Sequence, residues 1–332
     1  MKNMIFDVNQ TEFKSEYQRL IWQAGTHIVP LEISLVDIDD EETREGCKQI
    51  YDCIVEILMD MYNNSDEYTE RPRWYTCDYI AWLTNGDKPM KKHANEYNRY
   101  LQTIHKFGFE YDETIGCWSN ERYPLLFEYY PRFSVLFKER KKNLGGYTDR
   151  LDFRLFAKRI SLSFDDILRP LSFMEQAYAT KLHNYAISKG MKMEIKSPYS
   201  SRYIYKKLYS LEIHNLPFKV EVVYRLSNGG HIHDELERLL KIVERQEDKD
   251  EIIKYIQGGI CVCNACNGIK KANQRCGKWI DINGERRLAS MCHPAISKYR
   301  RGKDISYTDY DIEMMKRMID IRVVQIDEYL EG

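Results

Sequence analysis

The stretch Ser172–Arg225, SFMEQAYATKLHNYAISKGMKMEIKSPYSSRYIYKKLYSLEIHNLPFKVEVVYR, decides the fold class. Ser172 and Glu175 form a capping box, in which the serine oxygen accepts the N3 amide and the N3 carboxylate reaches back to the serine N–H. It opens a helix running to Ser188, and Gly190 is placed to stop it, because glycine takes the left-handed cap conformation without steric cost. Three strand-like runs rich in β-branched and aromatic residues follow, at about 192–197, 202–213 and 218–226. Ser227-Asn228-Gly229-Gly230 then breaks the chain before a helix at about 233–245, striped by Leu236, Leu239, Leu240 and Val243. A short helix at 249–257 follows. This order implies an antiparallel sheet covered by helices on one face, so the class is α+β, with one such domain over 150–257.

Downstream, the segment Gly258–Lys303 begins GGICVCNACNG, ends MCHPAISKYRRGK and holds five of the nine cysteines. Cys263 and Cys266 form a C-x-x-C pair, with Cys261 two residues upstream. Lys278–Ile282 and Glu285–Ala289 flank Asn283-Gly284, the strongest short-range hairpin signal, since a type I′ turn needs positive φ at both central residues. In a two-residue hairpin the paired numbers sum to 567, which sets Trp279 opposite Leu288 and Asp281 opposite Arg286. That register returns Cys276 and Cys292 to one end, where the C-x-x-C turn supplies two more thiols. Four thiolates in a tetrahedron suit zinc, and a closed shell of four is structural. The expected ligands are therefore Cys263, Cys266, Cys276 and Cys292, with Cys261 and His293 as alternates, in a small zinc-ribbon-like module. The competing readings are thiols buried as small hydrophobes and a redox pair.

The same segment is basic. Ten Lys or Arg face two carboxylates, a net charge of +8 in a chain that is −1 overall. A zinc–tetrathiolate centre of formal charge roughly −2 offsets only part of that excess. Lys270, Lys271, Arg275, Arg286, Arg287, Arg300 and Arg301 form the candidate surface for nucleic acid or a protein partner; a solvated basic face is the bland alternative.

Outward from these two segments, the chain reads as helical at its N-terminal side. Residues 1–66 carry an expected helix at 8–23, an extended piece at 27–35, and a strong helix at 41–62 striped by Cys47, Ile50, Ile54, Ile57 and Met61. A polar linker leads to a mostly helical region at 73–149. Its helix at 88–107 ends at Gly108, and two further helices are expected to break before Pro131, followed by the basic run Lys138–Lys142. Residues 258–332 comprise the cysteine module and a closing helix from Thr308–Asp311 to about 330. That helix carries two apolar rows, Ile312, Met315, Ile319, Val323, Ile326 and Met314, Met318, Ile321. A surface this wide must dock on the cysteine module, on the sheet domain, or on a second copy.

No apolar run approaches the ~18 residues of a membrane span and no signal core opens the chain. An odd number of cysteines concentrated in one segment points to reduced thiols or metal ligands, hence to the cytoplasm. Motifs of the nucleotide-binding, serine-hydrolase and zinc-protease types are absent. His231-x-His233 before Glu237 imitates a cupin metal signature, but two such histidines converge only on a strand and a helix starts here. Cys77 or Cys117 with His93, His105, His183 or His214 would give a thiol nucleophile, yet no local pattern pairs them. No residue is assigned a catalytic role.

Three stretches carry a likeness: NERYPLLFEYYPRF, FDDILRPLSFMEQAYATKLHNYAISKGMK, and CVCNACNG…RCGKW…MCHP with its closing helix. They resemble a group of uncharacterised proteins from anaerobic Gram-positive bacteria that pair an α+β middle with a cysteine-bearing C-terminal segment. The likeness spans most of residues 110–330 and implies that architecture but no activity. The order helix, three strands, helix is also similar to GyrI-like small α+β domains, some of which bind small ligands. The expectation is a non-catalytic cytosolic binding protein with a structural zinc site. The alternative is a ligand-binding or enzymatic α+β domain in which the metal module is only a staple.

Overall fold

The structure, a computed structural model, describes residues 5–67, 104–139, 151–159, 161–216, 219–225, 232–259, 278–282, 284–289, 295–296 and 307–331. The chain divides into two compact units, Met1–Leu162 and Ser163–Gly332.

In the first unit, helices α1 (Glu16–Thr26), α2 (Leu31–Ser34) and α3 (Glu41–Asn63) precede a two-stranded hairpin of β1 (Phe109–Asp112) and β2 (Cys117–Asn120), and then α4 (Leu126–Glu139). The spine is α3. Its start is fixed by Asp40, whose Oδ2 accepts the Thr43 N–H at 2.8 Å. Cys47, Ile50, Ile54 and Ile57 of the stripe are buried, with Cys53 beside them, whereas Met61 at its end is only partly buried. A Cβ at Gly46 would overlap the Tyr129 ring, so the missing side chain is what lets α4 lie close against α3.

Three expectations fail here, two for local reasons and one because of packing. The first helix starts at Glu16 rather than at residue 8, because Ser15 caps it by accepting the Gln18 N–H at 3.1 Å. Within 27–35, expected to be extended, Pro30 with φ −51° instead leads into the helical turn α2. Pro131 does not break its helix. An interior proline costs about 3 kcal/mol, whereas burying each large apolar side chain gains about 1.5–3 kcal/mol, and Leu126, Tyr129, Tyr130 and Phe133 are all buried on α4. Burial wins. Most of the helix expected at 88–107 lies outside the described residues; its end is a 3-10 turn, His105–Phe107, stopped by Gly108 at φ +85°. The basic side chains of the run Lys138–Lys142 are likewise outside the described residues.

The second unit holds α5 (Phe164–Leu168), α6 (Phe173–Ser188), strands β3 (Lys192–Ser197), β4 (Ser200–Tyr205), β5 (Leu208–Leu216) and β6 (Lys219–Arg225), helices α7 (Ile232–Val243) and α8 (Lys249–Gly259), the hairpin β7 (Lys278–Ile282)–β8 (Glu285–Ala289), β9 (Ala295–Ile296) and α9 (Asp309–Glu331). The main sheet is antiparallel, in the order β3-β4-β5-β6-β9. It confirms the α+β class and corrects the strand count. The run read as one strand at 202–213 is two, folded at Lys206-Lys207, whose φ values are +44° and +69°. Lysine is not a turn former, so the sequence offers no punctuation there. The short β9, which pairs Tyr224 with Ile296 and Arg225 with Ala295, is a fifth strand with no signal of its own in the sequence.

Two cores meet along α9. Thr308 opens this helix, donating its N–H to Asp311 Oδ2 at 2.8 Å while its Oγ1 accepts the Asp311 N–H at 3.3 Å. Ile312, Met315 and Ile319 join a cluster with Ala179, Leu182 and Ala186 of α6 and Tyr203, Leu211, Ile213 and Val222 of the sheet. Met314, Met318 and Ile321 join a second cluster with Leu236, Leu239, Ile242 and Val243 of α7, Ile252 and Ile256 of α8, and Ile282 of β7. The wide apolar surface therefore docks inside this unit, each row on its own core.

Candidate functional site

The hairpin β7–β8 forms in the register that Asn283-Gly284 dictates, with Trp279 paired to Leu288 and Asp281 to Arg286. Gly284 takes φ +78° and donates its N–H to Asp281 Oδ1 at 2.8 Å, which ties the turn to its own strand. Ile282 fixes the hairpin to the unit, because it is fully buried in the cluster of α7, α8 and α9. Gln257 of α8 adds a hydrogen bond from Nε2 to the Ile282 carbonyl at 2.8 Å.

Strand alternation then turns Trp279 away from that core. Trp279 is 54% exposed, and the Arg286 guanidinium lies 5.2 Å from its ring centroid. Asp281 and Arg286 are exposed beside it. An indole and a guanidinium so placed form a flat, cationic surface. Sequence reasoning set Trp279 against Leu288 and gave it no role. Its exposure is readable only as a consequence of Ile282, three positions along the strand and so on the opposite face, pointing inward.

Lys278 and Ala289 are register partners, so the chain enters and leaves the hairpin at one end. Cys276 precedes Lys278 by two positions, and Cys292 follows Ala289 by three. β9 returns the chain to the main sheet just beyond His293, and α8 ends at Gly259, two residues before Cys261. The expected ligands Cys261, Cys263, Cys266, Cys276, Cys292 and His293 lie outside the described residues, as do Lys270, Lys271, Arg275, Arg300 and Arg301. Arg287 is placed on β8 opposite Ile280. Among the described residues no group of three or more His, Cys, Asp or Glu converges as a metal site. Nor is any described helix long and apolar enough to cross a membrane.

The main sheet carries a second polar grouping. Leu211 and Ile213 of β5 face the α6–α9 core, so Glu212 and His214 take the other face. His214 Nε2 lies 3.0 Å from Glu212 Oε2, and the two side chains are only 17% and 7% exposed. The register sets Arg202 of β4 opposite Glu212, Glu194 of β3 opposite Arg202, and Ser200 opposite His214. A carboxylate holding an imidazole in this way fixes its tautomer and orientation, the arrangement that a general base requires.

Of the other histidines in the sequence reading, His183 and His105 have structural surroundings. His183 stacks on Phe164 at 4.4 Å and its Nδ1 lies 2.8 Å from Tyr203 Oη, where burial lowers the imidazole pKa below its ordinary value. His105 Nδ1 lies 2.8 Å from the Phe109 carbonyl. His233 falls within α7, and His231 is outside the described residues. Cys77 and His93 are outside the described residues. Cys117 is exposed on β2, whereas Cys47 and Cys53 are buried on α3. Burial pushes the Cys47 thiol up to about 12 and the Cys53 thiol up as well, the opposite of what a nucleophile needs. No family model, curated protein or solved structure matches the chain.

Proposed function

We propose that the chain is a non-catalytic cytosolic binding protein, in which a zinc ion held by Cys263, Cys266, Cys276 and Cys292 staples the C-terminal segment and its basic surface engages nucleic acid. The observation that carries this reading is the β7–β8 hairpin. It sets positions 278 and 289 side by side at its open end, next in sequence to two of the thiols, and it turns Trp279 and Arg286 outward. The net charge of +8 over Gly258–Lys303 supports a polyanionic partner. The test has two arms. Elemental analysis of protein purified without added metal should find about one zinc per chain, lost in Cys263→Ser and Cys276→Ser. Binding to nucleic acid should weaken steeply with salt, and should be abolished by charge reversal at Arg286, Arg287, Arg300 and Arg301 without unfolding. Zinc-free protein whose segment stays folded would end the staple. A salt-insensitive complex, or one formed only with a protein, would end the nucleic-acid assignment.

A second reading rests on Glu212 and His214, a carboxylate–imidazole pair on the sheet face opposite the core. In that reading the sheet domain binds or transforms a small ligand and the metal module is only structural. A metabolite whose binding is lost in His214→Asn and Glu212→Gln, but untouched by the arginine reversals, would favour it.

A further inference from the structure

We infer that Trp279 is a base-stacking platform, so that the nucleic acid engaged at the C-terminal surface is single-stranded; this rests on the nucleic-acid reading above. An indole more than half exposed gives up hydrophobic burial in the free protein. The hairpin nonetheless holds it outward, because Ile282 and the Gln257 hydrogen bond fix the strand's other face to the helices. The ring is thus kept on the outer face of an anchored strand. The Arg286 guanidinium lies over the ring, 5.2 Å from its centroid, so the surface offered to a base is a guanidinium–indole pair. Paired aromatic and guanidinium surfaces accept an unstacked base and its phosphate together. A duplex keeps its bases stacked on one another and offers such a ring little more than backbone. Charge complementarity selects the partner class, since the segment around the hairpin carries +8 while the whole chain carries −1. An exposed tryptophan within a segment of this charge suits a strand of phosphates and open bases better than an apolar protein groove.

The experiment uses the full chain with short oligo-dT, and the same strand annealed to its complement, as probes. Anisotropy of the labelled probe and intrinsic tryptophan fluorescence are read together. Trp279 is one of five tryptophans, so its signal is the part of the quenching that disappears in Trp279→Leu. The expected result is tighter binding of the single strand, with quenching lost in Trp279→Leu. Single-strand affinity should fall by roughly 5- to 150-fold, the range that stacking one base implies, and Trp279→Phe should recover most of it. Circular dichroism and metal content unchanged in both variants would set misfolding aside. Salt-sensitive binding that Arg286→Glu abolishes, but that Trp279→Leu leaves at wild-type affinity and quenching, would overturn the stacking role while the basic-surface reading stands. Equal affinity for duplex and single strand, unchanged in Trp279→Leu, would do the same. Binding to neither probe at low salt would overturn both.

Discussion

The hairpins β4–β5 and β7–β8 are built from opposite resources. The first turns on two lysines, Lys206 at φ +44° and Lys207 at φ +69°, a conformation costing about 1–2 kcal/mol for each residue with a Cβ. It is held by its surroundings. Both strands lie inside the five-stranded sheet, and Tyr203, Leu211 and Ile213 are buried against α6 and α9. Lys206 Nζ reaches Asp327 Oδ1 on α9 at 2.9 Å, and Tyr205 Oη bonds the same carboxylate's Oδ2 at 3.4 Å. The second hairpin is a pair of strands in which, among the described side chains, fully buried Ile282 serves as anchor, and its turn uses glycine where positive φ is required. A strand pair with ample packing tolerates an unfavourable turn. One with little packing needs the turn to be correct.

Three measurements would break or sharpen that contrast. Tyr203→Ala removes a fully buried ring from beneath the lysine turn and should cost about 3–5 kcal/mol, read as a lower urea midpoint with an unchanged m-value. A loss under ~1 kcal/mol would mean that packing does not sustain that turn. Exchanging turn chemistry should have a smaller effect and opposite signs at the two sites. Lys206→Asn with Lys207→Gly should raise stability by about 1–2 kcal/mol, while Gly284→Lys should lower protection of the β7 and β8 amides by about 1 kcal/mol in hydrogen exchange. If both exchanges moved stability in the same direction, the contrast would be wrong. The smallest effect concerns pH. Burial lowers the pKa of His183, packed on Phe164 and Tyr203 beneath β4, below the ordinary 6.5. The unfolded chain therefore takes up the proton first, so the stability that His183 contributes is full above about pH 6.5 and is lost as the pH falls below it. His183→Gln should flatten that slope, and acid titration of the midpoint would show it.

Legibility in the sequence followed the same division. Elements marked by their own residues are legible to within a few positions: α3 by its stripe, α6 by Ser172, and β7–β8 to the residue pairing by Asn283-Gly284. Elements set by distant contacts are not. The Lys206-Lys207 turn has no local signal, Pro131 reads as a breaker until the burial of its neighbours is known, and β9 is two residues whose pairing partner lies about seventy positions earlier. At the candidate site, the hairpin scaffold was legible and the outward face of Trp279 was not, because exposure depends on which side of the strand meets the helices. The Glu212–His214 pair was missed for a related reason. It emerges only once β5 is divided from β4 and its alternation is assigned to two faces.

Helix α9 gives one rod to two cores, through Met315 and Ile319 on one side and Met314 and Met318 on the other. Neither core can loosen its grip without exposing one side of a rod whose other side the second core holds. The sheet and the α7–α8 layer should therefore open as one cooperative body, with shared protection against amide exchange. Joining them also requires partners more than a hundred residues apart in the chain, such as Ala179 and Ile312, to find one another. The closure entropy of such long loops must be met before the contacts reward it, so assembly of this unit should be slow for its size.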